Sequence, residues 1–297
     1  MVAYAAWWQG DVIDVRDHSR QGLALYDPEL HRAGIVAYNQ NPGIICGYLD
    51  ALSDWALGYP EQARRAMAKV VAHARELEHP YSIGITLLFA AQLAQLDRDP
   101  DAACAHAEES LRVSAEHDGL PAVALWCLLP RGWATTQQGD AAAGIADIRE
   151  AMDRRRAFGI GAVWPWFLAL FAEALARLGQ FTEGLDALSE AEQWSRRNDE
   201  HLYEAEVHRI RGELLLGQDI PDPAQAEACF GQALAVARSQ QAKSWELRAA
   251  ISLARLWQSQ HRRDDAHELL APVYDWFTEG FDSPDLRDAQ TLLHQMS

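Results

Sequence analysis

Seven times along this chain of 297 residues the same short pattern returns. It is a small residue, a bulky apolar one four places on, a small or β-branched one three further, and usually an apolar one next. Ala226, Phe230, Ala233 and Leu234 form the clearest copy. Ala63/Met67/Val70/Val71, Ala103/Ala107/Ser110/Leu111, Gly144/Ile148/Ala151/Met152 and Ala266/Leu270/Val273/Tyr274 follow it, with weaker copies at Gly184/Leu188/Ala191 and Val15/Ser19/Gly22/Leu23. Recurrence at roughly 40 residues marks an array of helical repeats, each burying its apolar face only against its neighbours. Such an array is an extended surface before it is a pocket, so binding is its default function.

The punctuation between copies is that of helical hairpins. Asn41-Pro42, Asp99-Pro100, Asp222-Pro223 and Ser283-Pro284 each set a capping side chain before a proline at the first helical position. His79-Pro80, Leu120-Pro121 and Trp164-Pro165 are further starts with poorer caps. Gly10, Gly58, Gly139 and Gly179 fall where a helix must end and its partner begin. The predicted pairs span 1–24, 42–78, 80–118, 121–158, 163–199, 201–239 and 243–278, with a last helix at 284–295. Tyr26 to Gln40 and Gln218 to Asp222 read as insertions. The expected fold is all-α, a right-handed α-solenoid of about seven hairpins. Its repeat domain covers 1–282, and a C-terminal capping helix covers 283–297.

Composition narrows the function. Apolar residues make up 49% of the chain, ample for a continuous core. A formal net charge of -17 argues against direct nucleic-acid binding and against anionic membranes, and it suits a basic or mixed-charge partner. Cys46, Cys104, Cys127 and Cys229 are scattered without metal or disulfide spacing and read as reduced, mostly buried thiols. No signal peptide is visible, and the longest uncharged apolar stretch, Gly159 to Ala172, carries Pro165 and is too short to span a bilayer. The expectation is a cytoplasmic chain.

Chemistry is sparse. No phosphate loop and no G-x-S-x-G elbow occur, and no cysteine has the surroundings of a catalytic thiol. His201, Glu204 and His208 share a helix face, but the histidines stand two turns apart and read as a solvated face rather than a metal site. The chain reads as non-catalytic, with no cofactor. An enzyme on a closed ring of hairpins is the rival that buried central carboxylates would support.

The set Ala172, Gly179, Gly184, Leu188 and Ala191 resembles the tetratricopeptide repeat (TPR). A second resemblance rests on Tyr203-Glu204-Ala205-Glu206 with Arg209, Gly212 to Leu216, Gln241 to Ser244, Glu246 to Ala250, Ser252 to Trp257, and above all the tail Leu269 to Tyr274 with Trp276 to Phe281. It is to the C-terminal repeat region of large bacterial proteins in which an adenylate-cyclase-like or winged-helix domain precedes a signal-transduction ATPase. That resemblance implies a fragment or shortened relative, and an ATPase or cyclase-like module in the same or another chain. In TPR arrays the first helix of each pair lines a concave groove that holds a protein or peptide. Carried onto this sequence, the groove would be formed by Tyr48, Trp55, Trp126, Trp133, Trp166, Glu206, Arg209, Arg248 and Arg255, with Leu129, Glu173, Glu213 and Ile251 beside them. Tryptophans at helical spacing equally suit packing between helices, and Glu206, Arg209 and Glu213 suit pairing along one helix. Trp7, Trp8, Trp194, Trp245, Trp257 and Trp276 are assigned to packing, and Arg131 is a candidate to stack on an aromatic face. The function this supports is a protein-interaction scaffold or sensor, with small-molecule effector sensing as the alternative.

Overall fold

The computed structural model describes residues 2–31, 40–117, 120–159 and 161–296, so residues 32–39 of the expected first insertion lie outside the described residues. The helices are α1 Val2–Gln9, α2 Val12–Leu25, α3 Pro42–Ala56, α4 Pro60–Glu76, α5 Pro80–Leu96, α6 Pro100–Glu116, α7 Pro121–Gln137 and α8 Ala141–Ala157. They continue with α9 Trp164–Arg177, α10 Phe181–Asn198, α11 Glu204–Gly217, α12 Pro223–Ser239, α13 Lys243–Ser259, α14 Arg263–Tyr274 and α15 Pro284–Met296. No strand occurs among the described residues.

The caps operate as the sequence suggests. Asn41 accepts from the Ile44 amide at 3.1 Å, Asp99 from Ala102 at 3.0 Å and Asp222 from Gln225 at 2.9 Å. Asp140 caps α8 in the same way, accepting from Ala143 at 3.0 Å. Gly139 and Gly179 take positive φ at the turns predicted for them. The same left-handed turn is also made without glycine, by Arg98, Gln241 and His261. No sequence signal marked those three.

The chain divides into two compact units: residues 1–7, 13–55 and 61–162 form one, and 8–12, 56–60 and 163–297 the other. In both, the repeated pattern is the core. Ala63, Ala103, Ala107, Ile148, Ala151, Leu188, Ala191, Ala226, Ala233, Ala266 and Leu270 are fully buried. In the first copy Leu23 lies on the surface, and Leu111 and Tyr274 at the ends of two others are half-buried. The small residues allow backbone to touch backbone. A Cβ on Gly132 of α7 would stand 2.6 Å from the Gly144 carbonyl of α8, so these helices cross with no side chain between them. In the second unit α9, α11 and α13, the first helices of successive hairpins, lie side by side, and α15 packs on α13 and α14. This stacking brings one face of each first helix into a common row.

The tail that carries the second resemblance runs from the end of α14 (Leu269–Tyr274) into the α14–α15 connection (Trp276–Phe281). Trp276 approaches Tyr59 with ring centroids 5.5 Å apart, and a Cβ on Gly58 would stand 2.5 Å from the Trp276 ring. These residues are packing elements of the second unit.

Candidate functional site

The aromatic residues assigned to a groove are packed inside instead. Tyr48 is 1% exposed, stacked on Phe89 at 3.9 Å between ring centroids and hydrogen-bonded to the Tyr4 hydroxyl. Trp55 is buried and donates Nε1–H to Asp97 at 3.2 Å. Trp133 is buried in α7, and Trp166 is stacked on Tyr203 at 5.9 Å. Trp126 is half-buried under the guanidinium of Arg155, 4.8 Å from the ring centroid. The reason is area: an indole contributes more to the core than any other side chain, and neighbouring first helices close over it. These five present little or no surface to a partner in this arrangement. The stacking assigned to Arg131 is also replaced, since Arg131 is clamped by Asp147 at 2.7 and 2.8 Å and Arg155 takes the cation–π position.

The charged residues of the same assignment are brought together. Arg209 of α11 lies between Glu206, bonded at 2.7 and 2.9 Å, and Glu213 at 2.6 Å. Arg248 of α13 faces Glu206 at 3.5 Å and bonds Asp285 of α15 at 2.7 Å. Arg255, one turn pair further along α13, reaches Asp288 at 3.1 Å, and Ser252 donates to Glu213 at 2.9 Å. Glu173 of α9 completes the row and feels Arg209 most among its charged neighbours. The result is a track of alternating charge across α9, α11, α13 and α15.

Its electrostatics are uneven. Burial would raise the Glu206 carboxyl, but Arg209 and Arg248 more than offset this and hold it below the ordinary range. Glu206 therefore stays ionised. Burial raises Glu173, with Glu213 and Glu206 pushing the same way against Arg209. Three acidic side chains thus share two guanidiniums, those of Arg209 and Arg248.

At the Glu213 end the track opens into a groove of about 360 Å³. Leu216, Pro223, Phe230 and Leu256 line it with apolar surface, and Glu213, Ser252, Arg255, Ser259 and Gln260 supply the polar groups. Glu213 and Arg255 are the charged side chains of this groove, 44% and 52% exposed. The sequence reading missed the apolar floor and the two aspartates of α15. The signal available was spacing: Arg248, Ser252 and Arg255 share one face of α13, as Glu206, Arg209 and Glu213 share one of α11.

Elsewhere, His201 bonds Glu204 at 2.9 Å and Asp199 at 3.1 Å, while His208 stands 3.7 and 3.9 Å from Glu192 and Glu204. Burial lowers the affinity of His208 for a proton, against both glutamates. Among the described residues no cluster of three or more His, Cys, Asp or Glu fits a metal ion, and no helix is long and apolar enough to cross a membrane. The four cysteines are free thiols, Cys127 and Cys229 buried and the others half-buried.

No protein-family model matches this sequence, and no curated protein matches it. Among solved structures it is similar to a Rap protein in complex with the competence and sporulation factor, with a TM-score of 0.64 and 13% identity over 99% of this chain and 78% of that one. Yeast Tom70 gives a TM-score of 0.46 and 13% identity over 95% of this chain and 59% of that one. The chain has an all-α, TPR-like helical-repeat fold.

Proposed function

We propose that this chain is a non-catalytic protein-interaction scaffold or sensor, and that its second unit holds a protein or peptide segment along α11 and α13. The observation that carries this reading is the convergence of the Glu206–Arg209–Arg248 track on an apolar-floored groove. An apolar floor with a few placed polar groups is the usual composition of a recognition site. The likeness to a Rap protein solved with a bound factor supports a binding role on the same fold. Nothing in the track has the geometry of a nucleophile and its base, so its charges orient and select rather than react.

Arg209, Arg248 and Glu206 lie behind the groove and join it through Glu213, and Arg255 with Glu213 forms its accessible charged part. On the tail resemblance we further propose a cytoplasmic scaffold that works beside a signal-transduction ATPase or cyclase-like module of the same or another chain. The volume of about 360 Å³ also suits a small-molecule effector, which is the second reading.

The test is affinity capture from the native lysate with the intact chain and with Arg255→Ala/Ser259→Trp, both shown to be folded by circular dichroism. A specific protein retained by the first and lost by the second supports the scaffold. A bound small molecule recovered from the intact chain, with no protein, replaces it by the effector reading. Recovery of a nucleotide-hydrolysing protein tests the ATPase context separately.

A further inference from the structure

The groove's charge specifies what it takes, if the reading above holds. Around it the track carries five carboxylates, Glu173, Glu206, Glu213, Asp285 and Asp288, against the three guanidiniums of Arg209, Arg248 and Arg255. The arginines are already committed: Arg209 to Glu206 and Glu213, Arg248 to Glu206 and Asp285, Arg255 to Asp288. Glu213 is the carboxylate that both joins this row and reaches the groove. Its Oε1 receives Arg209 and Ser252 together, at 2.6 and 2.9 Å, while Oε2 has no hydrogen bond from a described residue on a side chain that is 44% exposed. A carboxylate accepts about four hydrogen bonds, so Glu213 has capacity for a further donor.

The geometry points to a partner segment that places an aliphatic or aromatic side chain on Leu216 and Pro223, over the buried Phe230 and Leu256, and a neighbouring lysine or arginine on Glu213. A cation there adds a counter-charge at Glu213, the exposed end of a row in which Glu173, Glu206 and Glu213 share Arg209 and Arg248. An acidic group in the same place would add to it. The chain's net charge of -17 draws a basic segment from a distance, and the groove then selects the apolar neighbour.

The experiment uses an array of immobilised hexapeptides, capped at both ends, in which one apolar position is followed by Lys, Arg, Ser, Glu or Asp. The folded full chain, Glu213→Gln and Ser259→Trp are applied to it, and the strongest spots are re-measured by fluorescence anisotropy. Apolar–Lys and apolar–Arg pairs are expected to bind at least fivefold better than apolar–Ser, and apolar–Glu worst. Glu213→Gln keeps the acceptor for Arg209 and should lower affinity for the basic peptides about fivefold, with little effect on the Ser series. Ser259→Trp, on the exposed face of α13, should abolish binding of all series. A preference for acidic peptides, or basic-peptide affinity unchanged in Glu213→Gln, overturns the inference while leaving the scaffold reading in place. Binding that survives Ser259→Trp moves the site elsewhere. No binding to any peptide, with a protein still captured from lysate, also refutes this segment while the scaffold stands. No binding in either experiment defeats both.

Discussion

The two units use one hairpin architecture and differ in what their first helices carry. In the first unit α5 has no charged residue, and Ser82, Thr86, Gln92 and Gln95 are buried in it beside Leu87, Leu88 and Phe89. In the second, α11 and α13 bury Glu206, Glu246 and Arg248 in equivalent helices. Apolar and uncharged polar groups can be covered completely, whereas buried charges need partners held in place. The second unit therefore spends its inner faces on an ordered ionic track. The contrast is one between helices rather than whole units, since the first unit also buries charge at Asp54, Asp97 and Arg155; under the proposed function, recognition need not be spread along a repeat array.

The largest expected effect tests the aromatic side of this comparison. Tyr48→Ala in the first unit and Trp166→Ala in the second should each cost about 3–5 kcal/mol, read by denaturant unfolding and by hydrogen exchange within each unit. Stability retained to within about 1 kcal/mol would return these residues to the surface as contact candidates.

The ionic side comes next. Glu206→Leu strips Arg209 and Arg248 of a shared buried partner and should cost about 2–4 kcal/mol. Glu109→Leu, which removes the exposed pair with Arg75 at 2.9 Å in the first unit, should cost about 0–1 kcal/mol. Equal losses would erase the distinction between the units.

A smaller effect concerns acid in the first unit. Burial, then Asp50, push Asp54 up to about 6, against the pull of Arg20 and Arg16. The folded state then takes up a proton before the unfolded state does, so this group raises stability as pH falls from about 7 through 6 toward 4. Asp54→Asn should flatten that segment of the stability curve. A steeper curve in the variant would place the ionised form as the stabilising one.

The smallest test lies in a turn of the second unit. His261 takes φ 63° where the first unit uses Gly139 at φ 107°. His261→Gly should stabilise by about 0.5–1 kcal/mol, as a melting temperature raised by a few degrees. A lower melting temperature would mean that the imidazole contributes more than its backbone costs.

The repeat pattern, the proline-led caps and the glycine turns determined the hairpins, because each is a local rule read within a few residues. Gly132 and Gly144 sit where close approach demands them, and the same logic located Gly184, whose added Cβ would stand 2.5 Å from Leu214. The charged half of the candidate site was named by carrying over repeat positions, and its pairing along α11 was readable because residues three and four apart on one helix share a face in any fold. The apolar floor of Leu216, Pro223, Phe230 and Leu256 was not, since it is assembled from three helices whose relative placement no local signal carries. Nor was the fate of Tyr48, Trp55, Trp133 and Trp166. Helical spacing alone determined which way these rings project from their helices. Whether that direction meets solvent or a neighbouring hairpin is decided by stacking, and only the tertiary structure showed that it meets the core.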